Sequence, residues 1–415
     1  MTLDLGSKSI VSALSLIIAG CIPCCLPAQR PTGHTGEQPR VFIYDAKVLA
    51  SLRLASPEAP QKKEILQALK EQADRAMLEG PFSVMQKAVT PPSGDKHDYM
   101  SQAPYFWADP SKPNGLPYIR RDGEHNPELK KISDHDQFGR MGDDARVLAL
   151  AYYLTGEESY ANRATLLLRA WFLDPATRMN PNLEFGQGIP GINTGRSIGI
   201  IESRALIPVI DAVGLLAGSH AWTTQNQDGM KAWLAQYLHW MRFSEKGESE
   251  NAAKNNHGTW YDLQVVDIAL FLGDRALAAD TLNRVKTTRI AVQIEPNGSQ
   301  PLELARTNAW GYSNGNLDGL TQLACLGQEI GVDLWHFQTA DGRSIQAAIN
   351  FVLPYAIDSK QWNYQQIGGF HADEPEHTLE RAANAYSDAE YTAVAKQIAG
   401  NTPDLLTLLL RISDR

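Results

Sequence analysis

Cysteine is almost missing from the body of this chain. Of the four in its 415 residues, Cys21, Cys24 and Cys25 fall near the start and Cys325 stands alone. One cysteine cannot build an intrachain disulfide framework, so an apolar core must hold the fold. No Cys-x-x-Cys or Cys/His pairing follows residue 25, so nothing signals a structural zinc. Basic residues are in deficit: 38 Lys and Arg against 47 Asp and Glu give a net charge of -9. That argues against a general nucleic-acid binder, which neutralises phosphates with basic surface, yet leaves room for a locally basic cleft. Runs alternating apolar and polar with period two are scarce, which disfavours a sheet-based fold.

The apolar run Ile10 to Gly20 is too short to span a bilayer but has the length of a signal-peptide apolar region, with Lys8 before it. It ends Ile18-Ala19-Gly20-Cys21, like the box at which bacterial lipoproteins are cleaved and lipidated, here on Cys21. Plain cleavage nearer Ala28 is the competing reading. The expected organisation is a signal peptide over 1–28, a flexible Pro-, Gly- and Thr-rich tether over 29–42 and one domain over 43–415. The protein is then expected to be exported, as a periplasmic or outer-membrane lipoprotein or in secreted form.

Beyond the tether the pattern is helical. Apolar residues at three- and four-residue spacing predict helices over 61–80, 143–154, 160–172, 197–217, 223–243, 261–272 and 275–294. Further helices are expected over 317–330, 344–357, 376–385 and 404–412. Turns such as Thr155-Gly156-Glu157 and Leu272-Gly273-Asp274 join them into hairpins. Such hairpins spiral into an open solenoid or close into a ring. No fixed-period repeat is visible, which weakens the solenoid. The expected fold class is all-α, an (α/α) toroid of helical hairpins. Long segments interrupt it at 91–126, 180–196, 248–260, 296–316 and 364–376, and long loops in a compact domain usually carry function.

Two of these segments hold residues that structure alone does not explain. In 254–262, capping of the next helix accounts for one Asn or Thr, but not for Asn256, His257 and Trp260 together. In 303–316, Gly311, Asn314 and Gly315 suit a turn-rich connector, which has no need of Arg306, Asn308, Trp310 and Tyr312. The chemistry that fits is β-elimination at a 4-linked uronate. The proton on C5 must leave beside a carboxylate, and donors or cations on that carboxylate stabilise the dianion that develops. Asn256, His257 and Arg306 are suitable, Arg306 through a bidentate grip. Tyr312 can take the proton and return one to the departing O4, given positive charge to lower its pKa from about 10. One group serving both roles requires H5 and O4 on the same face. Mannuronate and glucuronate meet that requirement; guluronate and galacturonate do not.

Further polar and aromatic residues could line a sugar cleft. Tyr105 and Trp107 could stack on sugar faces while Lys96, His97 and Tyr99 meet hydroxyls or carboxylates; a packed loop is the alternative. Gly188 to Arg196 reads as a Gly/Pro turn opening a helix, whose positive end with Asn193 and Arg196 suits an anion. Capping alone is the alternative for Asn193.

At these residues the chain resembles the alginate lyase family of helical-toroid enzymes, and especially the glucuronan- and mannuronan-cleaving members of polysaccharide lyase family 38. The matching stretches are Lys96–Trp107 with Asp109-Pro110, Arg178–Leu183, Gly188–Arg196, Asn255-Asn256-His257 and the Arg306/Tyr312 pair. The resemblance implies Tyr312 as base and acid with His257 beside it. It also implies Asn256 and Arg306 as carboxylate neutralisers, with Asn193 as a third. It implies an acidic polyuronate as partner, and neither metal nor organic cofactor.

Two other readings remain open in the sequence. An inverting glycoside hydrolase on the same toroid would need two carboxylates about 6.5–9.5 Å apart, for which Glu124, Asp134, Asp136, Glu202 and Glu303 are available. A non-catalytic glycan-binding lipoprotein would bind polymer without forming product.

Overall fold

The computed structural model describes residues 38–358, 360–400 and 403–412. The expected signal peptide, lipidation at Cys21 and residues 29–37 of the tether lie outside these residues, while the end of the expected tether is docked, with Val41 buried in the core and the Phe42 amide donating to Asp211. The first half of the chain forms α1 (Ala46–Leu54), α2 (Pro60–Ala76), α3 (Asp134–Thr155), α4 (Glu158–Leu168), α5 (Leu206–Leu215), α6 (Thr224–Phe243), α7 (Glu245–Asn251) and α8 (Asn256–Leu272). The second half forms α9 (Arg275–Val285), α10 (Ala291–Gln293), α11 (Pro301–Leu304), α12 (Ala309–Ile330), α13 (Ile345–Ala356), α14 (Glu376–Tyr386), α15 (Ala389–Ala399) and α16 (Leu405–Leu410).

Local chemistry sets many of these boundaries. Asp45, Thr223, Ser344 and Asp404 accept hydrogen bonds from first-turn amides of α1, α6, α13 and α16, supplying partners that a helix start otherwise lacks. Gly156 and Gly273 end α3 and α8 at φ 78° and 89°, a left-handed conformation that glycine adopts without steric cost. Each is followed at once by an antiparallel neighbour, which is why the two hairpins are legible in the sequence.

The helices close a ring. α2 packs on α3, α3 on α5, α5 on α8, α8 on α12, α12 on α14, α14 on α16, and α16 returns to α2. An outer layer backs this circuit, with α4 on α3, α6 and α9 on α8, α13 on α12, and α15 on α14. The fold is therefore the expected all-α toroid. α8 shows how an inner helix is written. Tyr261, Val265 and Ile268 join an apolar cluster of the first half, whereas Trp260, Leu263, Val266 and Leu270 join that of the second. A helix apolar on opposite faces has no surface to give to bulk water, so it sits between layers.

Several boundaries differ from expectation, and the differences matter for the site. α8 begins at Asn256 and α12 at Ala309, five and eight residues earlier than periodicity suggests. Their first turns carry polar side chains toward a cavity, which hides the apolar period. The stretch after Arg196 is 3-10 helix, Ser197–Ala205, before α5 begins. α1, α7 and α15 were not expected, nor were the short strands β1 (Met100–Gln102), β2 (Phe106–Trp107), β3 (Ile119–Arg120) and β4 (Phe185–Gly188). β1 pairs parallel with β4 and β2 antiparallel with β3, each too short for a period-two signal. The first pair fastens residues 100–102 to the glycine-rich segment. There a Cβ at Gly195 would stand 2.1 Å from the Glu184 carbonyl oxygen and one at Gly199 2.6 Å from Gly186, so close backbone approach demands these glycines.

Candidate active site

A cavity of about 1480 Å³ opens inside the ring, and every ring helix contributes to its wall. Gln72 comes from α2, Arg146 from α3, Ile207 from α5, His257 from α8, Tyr312 from α12, Arg381 from α14 and Leu405 from α16. Asn256, Arg306, Asn308, Trp260, Tyr105 and Arg196 line it too. Asn256, His257, Arg306 and Tyr312, distant in sequence, thus converge on one cleft.

Tyr312, in the first turn of α12, lies between two partners. Its hydroxyl accepts a hydrogen bond from Arg306 Nη2 at 2.7 Å and donates to Tyr105 Oη at 2.6 Å. The Arg306 guanidinium also sits 3.8 Å from the centre of the Tyr312 ring. Burial and the Tyr105 hydrogen bond push the phenol well above its ordinary range, and Arg306 opposes them without prevailing. Arg306 itself is not free. Its Nε and Nη2 donate to the two carboxylate oxygens of Asp122 at 3.0 and 2.8 Å. A two-point grip of the kind expected for a substrate carboxylate is thus made here on Asp122. Burial pushes the Asp122 carboxyl up, but Arg306, the Thr307 amide and Arg120 outweigh it and hold it well below the usual carboxylate range.

On the neighbouring ring helix, the first turn of α8 presents Asn256 and His257. Glu303, 1% exposed, accepts from the Asn256 backbone amide and from Nδ2, both at 2.7 Å. This fixes the side-chain amide and leaves Oδ1 and the second Nδ2 hydrogen without a partner among the described residues. Burial raises the Glu303 carboxyl, opposed by the two Asn256 donors. His257 Nδ1 lies 2.7 Å from Glu250 Oε1, and Glu250 is 1% exposed. An ionised carboxylate can only accept, so Nδ1 carries the proton and Nε2 is the nitrogen left for a ligand.

Buried amides lock these two helix starts together. Gln293 Oε1 accepts from Thr259 Oγ1 at 3.0 Å and from Asn316 Nδ2 at 2.9 Å, and its Nε2 donates to the Asn255 carbonyl. Asn316 Nδ2 also reaches Gln300, whose own amide donates to the Ser313 carbonyl. Arg289 holds the approach to α8 by donating to Asp262 and to the carbonyls of Asn251 and Ala253. Shared low-dielectric networks of this kind fix geometry through many mutually dependent bonds.

Other expected contacts are placed elsewhere. Tyr99 is fully buried, its hydroxyl donating to Glu202 at 2.7 Å. Trp310 is fully buried too, packed on Trp362 and Phe370, with Nε1 donating to the His371 carbonyl. Both aromatics serve the core because their polar tips find protein partners. Lys96, His97, Trp107 and Asn193 lie outside the cavity wall. The Lys96 carbonyl accepts from Lys87, and His97 Nδ1 meets the Arg178 carbonyl at 2.6 Å. Trp107 bonds the Glu124 carbonyl, with Arg121 across its ring. Asn193 Oδ1 accepts from the Ile189 amide and closes its own turn. Arg196 does face the cavity; it lies over Phe106 and donates to Gln187, and burial lowers its pKa to about 10. Of the carboxylates considered for hydrolysis, Asp136 and Glu202 line the cavity and two others are committed within the protein. Asp134 is buried against Lys87 at 2.9 Å, and Glu303 is spent on Asn256.

Asp122, Glu250 and the role of Glu303 escape sequence reasoning. Asp122 lies 184 residues from Arg306, and no local pattern announces it. Glu250 is seven residues before His257 and looks like a surface helix residue. Among the described residues, no group of three or more His, Cys, Asp and Glu side chains is arranged to hold a metal ion.

The chain matches the family model described as alginate lyase over residues 83–362. A crystal structure of an alginate lyase from Bacteroides ovatus is similar at a TM-score of 0.86 and 41% identity, covering 90% of this chain and 99% of that one. Alginate lyase A1-III from Sphingomonas species A1 shares the fold at a TM-score of 0.54 and 17% identity, covering 88% and 92%. A variant of A1-III complexed with a tetrasaccharide matches at 0.51 and 17%, covering 86% and 96%. None of the curated proteins matches the sequence.

Proposed function

The chain belongs to the alginate lyase family and is a polysaccharide lyase, and on that premise we propose that it cleaves a 4-linked polyuronate by syn β-elimination, with mannuronate-rich alginate or glucuronan as substrate. The observation that carries this reading is the 2.7 Å contact of Arg306 with the Tyr312 hydroxyl, on the same cavity as Asn256 and His257. Asn256, through its remaining Nδ2 hydrogen, and His257, in the form that carries a proton on Nε2 as well, would hydrogen-bond the uronate carboxylate, spreading the charge that builds as C5 loses its proton. Tyr312 would take H5 and protonate O4, its anion stabilised by Arg306. Asp122 keeps Arg306 aimed at the phenol, so Arg306 supports the base and does not grip substrate.

One observation favours a second division of labour. The raised Tyr312 phenol is suited to an acid, and the Glu250-backed imidazole offers Nε2 as a base. His257 would then remove H5 while Tyr312 protonates O4 from the other face, which suits guluronate or galacturonate.

A panel of mannuronan, glucuronan, guluronan and polygalacturonate, followed by ultraviolet absorbance of the unsaturated product, separates the two. Product from the first two alone supports the syn reading. Product from the last two alone overturns it in favour of the second, and no product from any of the four overturns both. Tyr312→Phe is expected to abolish product from every substrate while retaining polymer binding.

A further inference from the structure

Four of the arginines on the cavity wall have a carboxylate of the protein within 4 Å. Arg120 and Arg306 meet Asp122, Arg146 meets Asp143, and Arg381 meets Asp318. Arg196 and Arg204 do not, among the described residues. Arg196 at least donates to Gln187. The Arg204 guanidinium makes no hydrogen bond among the described residues; it lies 5.2 Å from the Trp260 ring centre, and the side chain is open to the cavity.

Position makes this vacancy informative. Arg204 lies in the last turn of the 3-10 stretch that packs on α7 and α8, so it stands beside the helix that presents Asn256 and His257. Trp260, under its guanidinium, is one turn along α8 from Asn256. Tyr105, the hydrogen-bond partner of Tyr312, is close enough for its charge state to be felt at Arg204. A guanidinium over an indole face is attracted by the ring while its N–H fork stays free, the fork with which arginine grips a carboxylate. Desolvation inside the ring lowers its pKa against the opposing charges of Asp318 and Glu202.

We propose that Arg204, oriented by Trp260, is a carboxylate-binding subsite of the cleft and supplies the substrate-neutralising cation that Arg306, matched by Asp122, does not. This rests on the polyuronate reading above. The ligand is the carboxylate of a uronate residue at or next to the bond being cleaved.

The test uses the full chain carrying Tyr312→Phe, so that binding is read without turnover. Calorimetry measures affinity for a β-1,4-linked mannuronate tetramer and for mannotetraose, its counterpart without carboxylates, in that chain and with Arg204→Gln or Arg204→Lys added. Losing a charged hydrogen bond is expected to cost the mannuronate tetramer about tenfold or more in affinity in Arg204→Gln. Arg204→Lys should recover part of that, and mannotetraose should bind all three chains alike. Equal affinity of the mannuronate tetramer for Arg204→Gln and its parent would overturn the subsite, as would an equal loss for both sugars, which marks a packing role. The lyase reading is judged separately, by unsaturated product from the chain with Tyr312 intact.

Discussion

Asp122 and Arg306 form a two-point ion pair, and the same guanidinium donates to Tyr312. The pair settles which way Arg306 points. With its charge balanced by Asp122, Arg306 keeps Nη2 on the phenol oxygen.

Asp122→Asn tests that arrangement. The amide keeps the shape but loses the charge and one acceptor, so Arg306 should swing from Tyr312. We expect kcat to fall about 10-fold or more with a smaller change in KM, since positioning, not substrate contact, is lost. The Asp122 carboxyl is held below its ordinary range, so its stabilisation is present above the unfolded-state pKa of about 4 and fades as pH falls toward the depressed folded value. Thermal melting should therefore show the variant less stable than the parent at pH 7 and nearly equal to it in strong acid.

Glu250→Gln tests the imidazole. Gln can still accept from Nδ1, so the ring stays in place while the buried negative charge is removed. Turnover should drop about 10²-fold with the melting temperature little changed. Unchanged turnover would show that Glu250 only fills space.

Trp310→Ala separates core from cleft. Because Trp310 is fully buried against Trp362 and Phe370, truncation should cost about 3–5 kcal/mol of stability in urea unfolding. Where the variant remains folded, the affinity for a saturated oligouronate should match the parent.

The ring fold was legible because its signals are local. Gly156 and Gly273 stop helices, and apolar spacing marks the stretches between them. The starts of α8 and α12 were misplaced because Asn256, His257 and Tyr312 point polar groups into a cavity that a helix-period count treats as solvent. Asn256, His257, Arg306 and Tyr312 stood out as residue types with no structural excuse. Their partners did not: Asp122 and Glu303 are ordinary acidic residues until folding brings them 184 and 47 positions along the chain. Tyr99 and Trp310 failed the other way, since an aromatic in a loop looks the same whether it meets sugar or core.

Asp267 supplies a test of stability against pH. It is 1% exposed on α8, and neither carboxylate oxygen has a hydrogen-bond partner among the described residues. Burial, with Asp211 nearby, raises its pKa well above the ordinary value. The folded state therefore keeps a proton that the unfolded chain releases near pH 4, and stability declines as pH rises above that point. Asp267→Asn, neutral at every pH, should melt near the parent at pH 4 and several degrees higher at pH 8. Equal melting temperatures at both pH values would mean that water or a counter-charge reaches Asp267.

The ring closes where α16 meets α2, and Asp404, Leu405 and Leu406 complete the wall of the cleft. A nascent chain made from its amino terminus holds Tyr312 and His257 long before it holds that final wall. The chamber is therefore walled last, when residues 404–406 dock, so a half-made chain carries the polar groups of the cleft before the wall that closes around them.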